Sequence, residues 1–97
     1  MQRRQRQIQP TDLKAKAVGV VVREFREQAG HSQERLSNEC GFDRTYISRV
    51  ERGIINPTVS RLWRIADVLK TPLNQIAKRM ELWIVNQERG AKKPSRG

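Results

Sequence analysis

The sequence predicts an all-α protein of five helices, on three observations. Apolar residues recur at steps of three and four along most of the chain. Small polar residues and a proline stand where those runs begin, and glycines where several of them end. No convincing strand pattern occurs. The one ambiguous stretch, residues 17–22 (AVGVVV), continues into REFREQ and so reads as helix.

Val18, Val22, Phe25 and Ala29 fall at steps of four, three and four. They form one face of a first helix, which Gly30 ends. Ser32 is placed to cap the second helix, with Glu34 in its first turn, where negative charge suits the helix dipole. Leu36 and Cys40 lie four apart on its inner side, and Gly41 breaks it. A few residues on, Asp43 is in position to cap a third helix, RTYISRVER, which stops at Gly53. Ile47 and Val50 form its inward stripe, with Tyr46 beside them. Ile54 to Pro57 read as a loop. Thr58 is placed to cap a fourth helix, in which Val59, Leu62, Trp63, Ile65, Ala66 and Leu69 are apolar. Thr71-Pro72 restarts the chain, because proline suits a first helical turn. The fifth helix carries Leu73, Ile76, Ala77, Met80 and Trp83 or Ile84.

A chain of 97 residues has room for one domain. The expected division is a flexible basic arm over 1–16, a helical domain over 17–80, and a helical extension with a basic tail over 81–97. The arm is rich in Gln and Arg and is interrupted by Pro10. Residues 90–97 (GAKKPSRG) read as a frayed end. The formal net charge is +10, from 20 Lys/Arg against 10 Asp/Glu. Such a balance implies a polyanionic partner, nucleic acid or an anionic membrane surface. Much of the surplus sits at the ends, in Arg3, Arg4, Arg6, Lys14 and Lys16 and in Arg89, Lys92, Lys93 and Arg96. These tails either keep the chain soluble or touch phosphate.

Several classes are set aside. A single cysteine, Cys40, allows no intrachain disulfide. With no signal-peptide pattern, that fits a reducing cytoplasm. The densest apolar run is too short to span a bilayer, and no basic amphipathic helix suits a membrane surface. Cys40 and His31 stand nine positions apart without companions, so no metal site and no cofactor is expected. General acid–base catalysis needs titratable groups converging on a pocket. His31 is the sole histidine, in an interhelix turn, and neither a phosphate-cradling glycine loop nor a nucleophile motif occurs. The chain does not read as an enzyme.

The most informative segment is SQERLSNECGFDRTYISRVERG, residues 32–53. Two short helices meet at a tight turn at Gly41, where a positive φ is expected. Leu36, Cys40, Phe42, Ile47 and Val50 supply apolar inner faces. Arg44, Thr45, Ser48, Arg49 and Arg52 form the outer face of the second helix. Arginine can donate two parallel bonds to guanine O6 and N7, and threonine can serve either sense while its methyl meets thymine. Taken alone, this face is either a solvated surface or a reader of base edges.

From Val18 to about Ile76, some three-fifths of the chain, the sequence resembles the Xre family of phage-repressor-type helix-turn-helix proteins. The resemblance is carried by Val18-Gly19, Val22-Arg23, Phe25-Arg26, Gly30, Ser32-Gln33, Leu36, Gly41, Tyr46-Ile47-Ser48, Glu51-Arg52-Gly53, Asn56-Pro57-Thr58 and Ile65-Ala66. It implies a lambda-repressor-like domain that binds double-stranded DNA as a homodimer on a pseudo-palindrome, through a recognition helix over 44–52. The implied role is a transcriptional regulator, specifically a repressor. The alternatives are an antitoxin with a toxin partner, or a restriction–modification controller. The resemblance assigns base contacts to Arg44, Thr45 and Arg49, and phosphate contacts to Gln33, Ser48, Arg52 and Thr58. Arg26 and Glu51 match an internal ion pair of the family.

The chain departs from the family pattern at several points. Ser37 stands where alanine is usual and should still fit against the turn. Val20 and Val21 replace polar residues, and either pack on the arm or a partner or lie exposed. Ile54 and Ile55 are either an intermolecular contact or an intramolecular plug. The stripe from Met80 onward outruns a compact family domain and is expected to hold a two-fold dimer. Arg3, Arg4 and Arg6 are in an arm of the kind that can reach a groove or the DNA backbone.

Overall fold

The computed structural model describes residues 12–92 as five helices. They are α1 (Leu13–Gln28), α2 (Gln33–Cys40), α3 (Tyr46–Glu51), α4 (Val59–Val68) and α5 (Leu73–Lys92). No strand occurs among the described residues. Three helices start on side-chain caps. Asp12 Oδ1 accepts from the amides of Lys14 and Ala15, at 2.9 and 3.2 Å. Ser32 Oγ accepts from Arg35 N at 3.0 Å, and Thr58 Oγ1 from Arg61 N at 3.1 Å. Each cap satisfies amides that the helix itself leaves unpaired.

The core is small and continuous. Val22, Leu36, Cys40, Tyr46, Ile47, Val50, Ile65 and Leu69 form its main cluster, with Phe42 and Ile55 packed against it. A second cluster joins Val21 of α1, Ala66 of α4 and Ile76 of α5, and Phe25 touches both. Helix α1 thus packs on α3 with one side and on α5 with another.

The crossing of α1 and α3 is possible because residue 19 has no side chain. A Cβ built on Gly19 would lie 2.6 Å from the Glu51 carbonyl oxygen and 2.7 Å from that of Val50. Those carbonyls belong to backbone and cannot swing away. A bidentate pair joins α1 to α5: Arg79 Nε and Nη2 donate to the two oxygens of Glu24, each at 2.9 Å.

Several expectations need correction. The arm does not extend to residue 16: the Asp12 cap starts α1 at Leu13, and Ala15 is fully buried. Residues 1–11, including Arg3, Arg4 and Arg6, lie outside the described residues, as do 93–97. The expected fraying at Gly90 is not found, since α5 continues through it to Lys92. Val21 is neither exposed nor aimed at the arm but fully buried in the second cluster. Ile55 is the intramolecular plug, while its neighbour Ile54 stays open to solvent. Met80 and Ile84 line a shallow groove with Lys14, Ala17 and Val18 of α1, where Ile84 is buried and Met80 half-buried. The exposed apolar residues of α5 are Leu82 and Val85, and those of α4 are Val59 and Trp63.

Helix α4 ends on an unusual residue. Lys70 adopts φ 55, and its neighbour's amide, that of Thr71, bonds back to the Ala66 carbonyl at 2.9 Å. A lysine in this left-handed conformation costs about 1 kcal/mol relative to glycine.

Gly19→Ala is expected to force α1 off α3 and to destabilise the chain by about 1–3 kcal/mol, the usual cost of overpacking. The midpoint of urea unfolding measures it. An unchanged midpoint would contradict the close approach.

Candidate nucleic-acid interface

The tight turn between α2 and α3 has the expected geometry. Gly41 caps α2 at φ 78, ψ 23, and its amide bonds to the Asn38 carbonyl at 3.0 Å. Helix α3 is shorter than the expected span of 44–52. Asp43 does not cap it directly but closes a turn ahead of it: Asp43 Oδ2 accepts from the amide of Thr45 at 3.0 Å and from the Thr45 hydroxyl. Arg44 and Thr45 therefore belong to the turn, and Arg52 to the C-terminal cap. The competition of a short acidic side chain for nearby amides explains the late start.

The missing cap comes from another helix. Thr45 makes no side-chain cap to α3, and the Ile47 amide instead donates to Ser37 Oγ of α2 at 3.1 Å, in the fully buried layer between the two helices. Ser37 was expected only to fit. It also orients α3, and its hydroxyl satisfies an amide that the shorter alanine would leave bare.

Glu51 holds the other end of α3. Its carboxylate is 3% exposed and accepts from Arg26 Nε at 2.6 Å, Arg26 Nη2 at 3.1 Å and Gln33 Nε2 at 2.8 Å. Arg26 Nη1 also donates to the His31 carbonyl at 2.7 Å. The hydrogen bond that Arg26 donates to Glu51 raises the Arg26 pKa further, against the opposing effect of burial. The expected pair of Arg26 and Glu51 is present, and Gln33 joins it. That bond occupies one of the two amide hydrogens of Gln33, and the other stays available to an acceptor.

Tyr46, Ile47, Val50 and the Glu51 carboxylate are buried, which leaves Arg44, Thr45, Ser48, Arg49 and Arg52 on the outer side of this segment. Gln33, Glu34, Arg44, Thr45 and Ser48 line a shallow depression of about 170 Å³. It brings together two residues expected to read bases and two expected to hold phosphate. Arg44 Nη1 lies 3.3 Å from Glu34 Oε2, and Arg49 Nη2 lies 3.7 Å from Asp43 Oδ2. Arg52 and Thr58 are exposed but outside the depression. Arg52 has no carboxylate partner among the described residues.

Two arginines of α4 were not foreseen. The Arg61 guanidinium lies over the rings of Phe42 and Tyr46, 5.0 and 4.8 Å from their centroids. Arg64 Nη1 donates to the Cys40 carbonyl at 3.0 Å, satisfying an open end of α2. Such contacts link residues about fifteen to twenty-five positions apart, and nothing local signals them. Burial pushes the neighbouring Cys40 thiol up to about 11, so it stays protonated and inert. Among the described residues no group of three His, Cys, Asp or Glu is arranged for a metal ion.

A helix-turn-helix family model (HTH_3) matches residues 22–76. The Neisseria hypothetical transcription factor of Neisseria meningitidis serogroup B is 40% identical over 65 residues, which are 67% of this chain and 60% of that protein. The solved restriction–modification controller protein C.Esp1396I superposes with TM-score 0.69 at 29% identity, over 75% of this chain and 95% of that one. The clp gene regulator ClgR from Corynebacterium glutamicum superposes with TM-score 0.76 over 80% of this chain and 83% of that one; at 19% identity the likeness is one of fold. The chain spans 34% to 60% of the length of three curated relatives that it matches.

Glu51→Ala would leave the Arg26 charge without its partner in a poorly solvated site. It is expected to cost about 3–5 kcal/mol, because the uncompensated charge remains. Thermal and urea unfolding check this; a loss as small as that of a surface pair would remove Glu51 from its structural role.

Proposed function

We propose, on the premise that the chain belongs to the helix-turn-helix family, that it is a transcriptional repressor acting in the cytoplasm on a pseudo-palindromic DNA operator. It is a binding protein and not an enzyme. The observation that carries the reading is the convergence of Gln33, Arg44, Thr45 and Ser48 on one exposed depression at the junction of α2 and α3. Helix α3 is anchored from behind by Ser37 and Glu51, so its outer side chains are offered in a defined orientation. Arg44, Thr45 and Arg49 meet base edges in the major groove. Gln33, Ser48, Arg52 and Thr58 hold the flanking phosphates, which set the register without reading sequence.

The operator is read by a homodimer whose two α3 helices enter major grooves about 34 Å apart. The exposed Val59 and Trp63 of α4 and Leu82 and Val85 of α5 supply apolar surface for such a contact. A controller of restriction–modification genes is the second reading, favoured by the 95% coverage of the controller C.Esp1396I. No helix among the described residues is long and apolar enough to cross a membrane.

Selection from a random duplex pool at near-physiological salt is expected to enrich a palindrome with half-sites one turn apart. On that site Arg44→Ala or Arg49→Ala should lose about 1–3 kcal/mol and relax one position. Gln33→Ala should weaken binding without changing the preferred sequence. Equal losses on every sequence for Arg44→Ala would remove it from base reading. Light scattering at micromolar concentration is expected to give twice the mass of one chain, and a strict monomer would overturn the dimer.

A further inference from the structure

The expected base readers differ from Arg52 in one respect. Arg44 and Arg49 each face a carboxylate from their own surface, Glu34 and Asp43, whereas Arg52 has none among the described residues. Asp43 is the more connected of the two acids. Its Oδ2 receives the Thr45 amide and hydroxyl and lies 3.7 Å from Arg49 Nη2. The Thr45 hydrogen bonds hold the Asp43 carboxyl below its ordinary value, so it is ionised throughout the neutral range. Arg49 Nε is itself shielded from water and has no hydrogen-bond partner. One oxygen thus engages both Thr45 and Arg49, two of the three residues read as base-facing.

A carboxylate at this position has a clear consequence. Non-specific binding comes almost entirely from phosphate neutralisation, and duplex DNA carries one negative charge per about 1.7 Å. An anion set among the cations that approach DNA opposes that attraction, and it weighs most on a complex held by phosphate contacts alone. It also gives Arg49 a partner that a lone phosphate must displace. A guanine edge offers two acceptors in the plane of the guanidinium and, being neutral, meets no charge repulsion from Asp43, whereas a phosphate anion does. Discrimination arises when a site penalises the wrong complex as well as favouring the right one.

We infer that Asp43 is a specificity-determining residue, whose carboxylate restrains Arg49 and Thr45 and repels the DNA backbone, so that these side chains engage only where base edges compensate. The inference rests on the reading of Arg49 and Thr45 as base-facing. Asp43 acts mainly by weakening binding to unrelated DNA, and its removal makes the protein bind more tightly and less selectively.

The test compares the full chain with Asp43→Asn and Asp43→Ser. Both retain an oxygen to accept from the Thr45 amide, and circular dichroism confirms that they fold. Asp67→Asn, the same change of charge in the last turn of α4, is the control for net charge. Affinity is measured for the selected site and for a scrambled duplex over a range of salt. Both Asp43 variants are expected to bind the scrambled duplex about three- to tenfold more tightly, with a steeper salt dependence and a smaller gain on the selected site. The ratio of the two affinities therefore falls, and Asp67→Asn leaves it unchanged. An unaltered ratio in the Asp43 variants, or an equal fall for Asp67→Asn, overturns this inference and leaves the base-reading proposal standing. A wild-type chain that prefers no sequence overturns both.

Discussion

Glu51 carries its carboxylate where water hardly reaches it, and the donors that surround it come from two other helices. Arg26 reaches it from α1 and Gln33 from α2. An ionised carboxylate in such a place is tolerated only when charged and neutral donors replace its lost hydration. The three helices must therefore meet in one arrangement, since a small shift of any of them breaks several short bonds at once. The orientation of α3, and with it every side chain on its outer face, depends on this junction. Gly19 belongs to the same constraint, because its missing Cβ lets α1 come close enough for Arg26 to reach.

The front of α3 is held by a different device. A helix of only six residues cannot stabilise itself, because nucleation uses most of what its few hydrogen bonds provide. Asp43 shortens it further by closing the turn ahead of it. Ser37 then supplies from α2 the cap that the local sequence lacks. Helix α3 is thus short, pinned at both ends by neighbours, and preceded by a turn that carries Arg44 and Thr45. Side chains in a pinned turn have less conformational freedom to lose on binding than they would have in a loose loop.

Helix α5 illustrates how apolar spacing alone misdirects. Its stripe from Met80 onward looks surplus to a small domain, yet α1 starts early enough for Lys14, Ala17 and Val18 to line one groove with Met80 and Ile84. The signal for that early start was the Asp12 cap, an ordinary helix-start residue hidden in a polar, charged stretch. The apolar residues left outside, Leu82 and Val85, lie off the inward stripe of the same helix. Ile54 and Ile55 divide likewise: adjacent residues in a loop point different ways, and only packing tells them apart.

What the sequence determined by itself was periodic or local. The five helices, the caps at Ser32 and Thr58, the turn at Gly41 and the buried pair at Ile47 and Val50 follow from spacing and backbone chemistry within a few residues. The helix-turn-helix motif was legible for the same reason, as were the residues that face outward from it. The tertiary structure decided what depends on distant partners. It placed Gln33 on Glu51, Ser37 under α3, Arg61 over Phe42 and Tyr46, and Val21 in the core. Each of these contacts joins different elements of the fold, and no periodicity along one chain specifies which side chain of a neighbour will stand opposite.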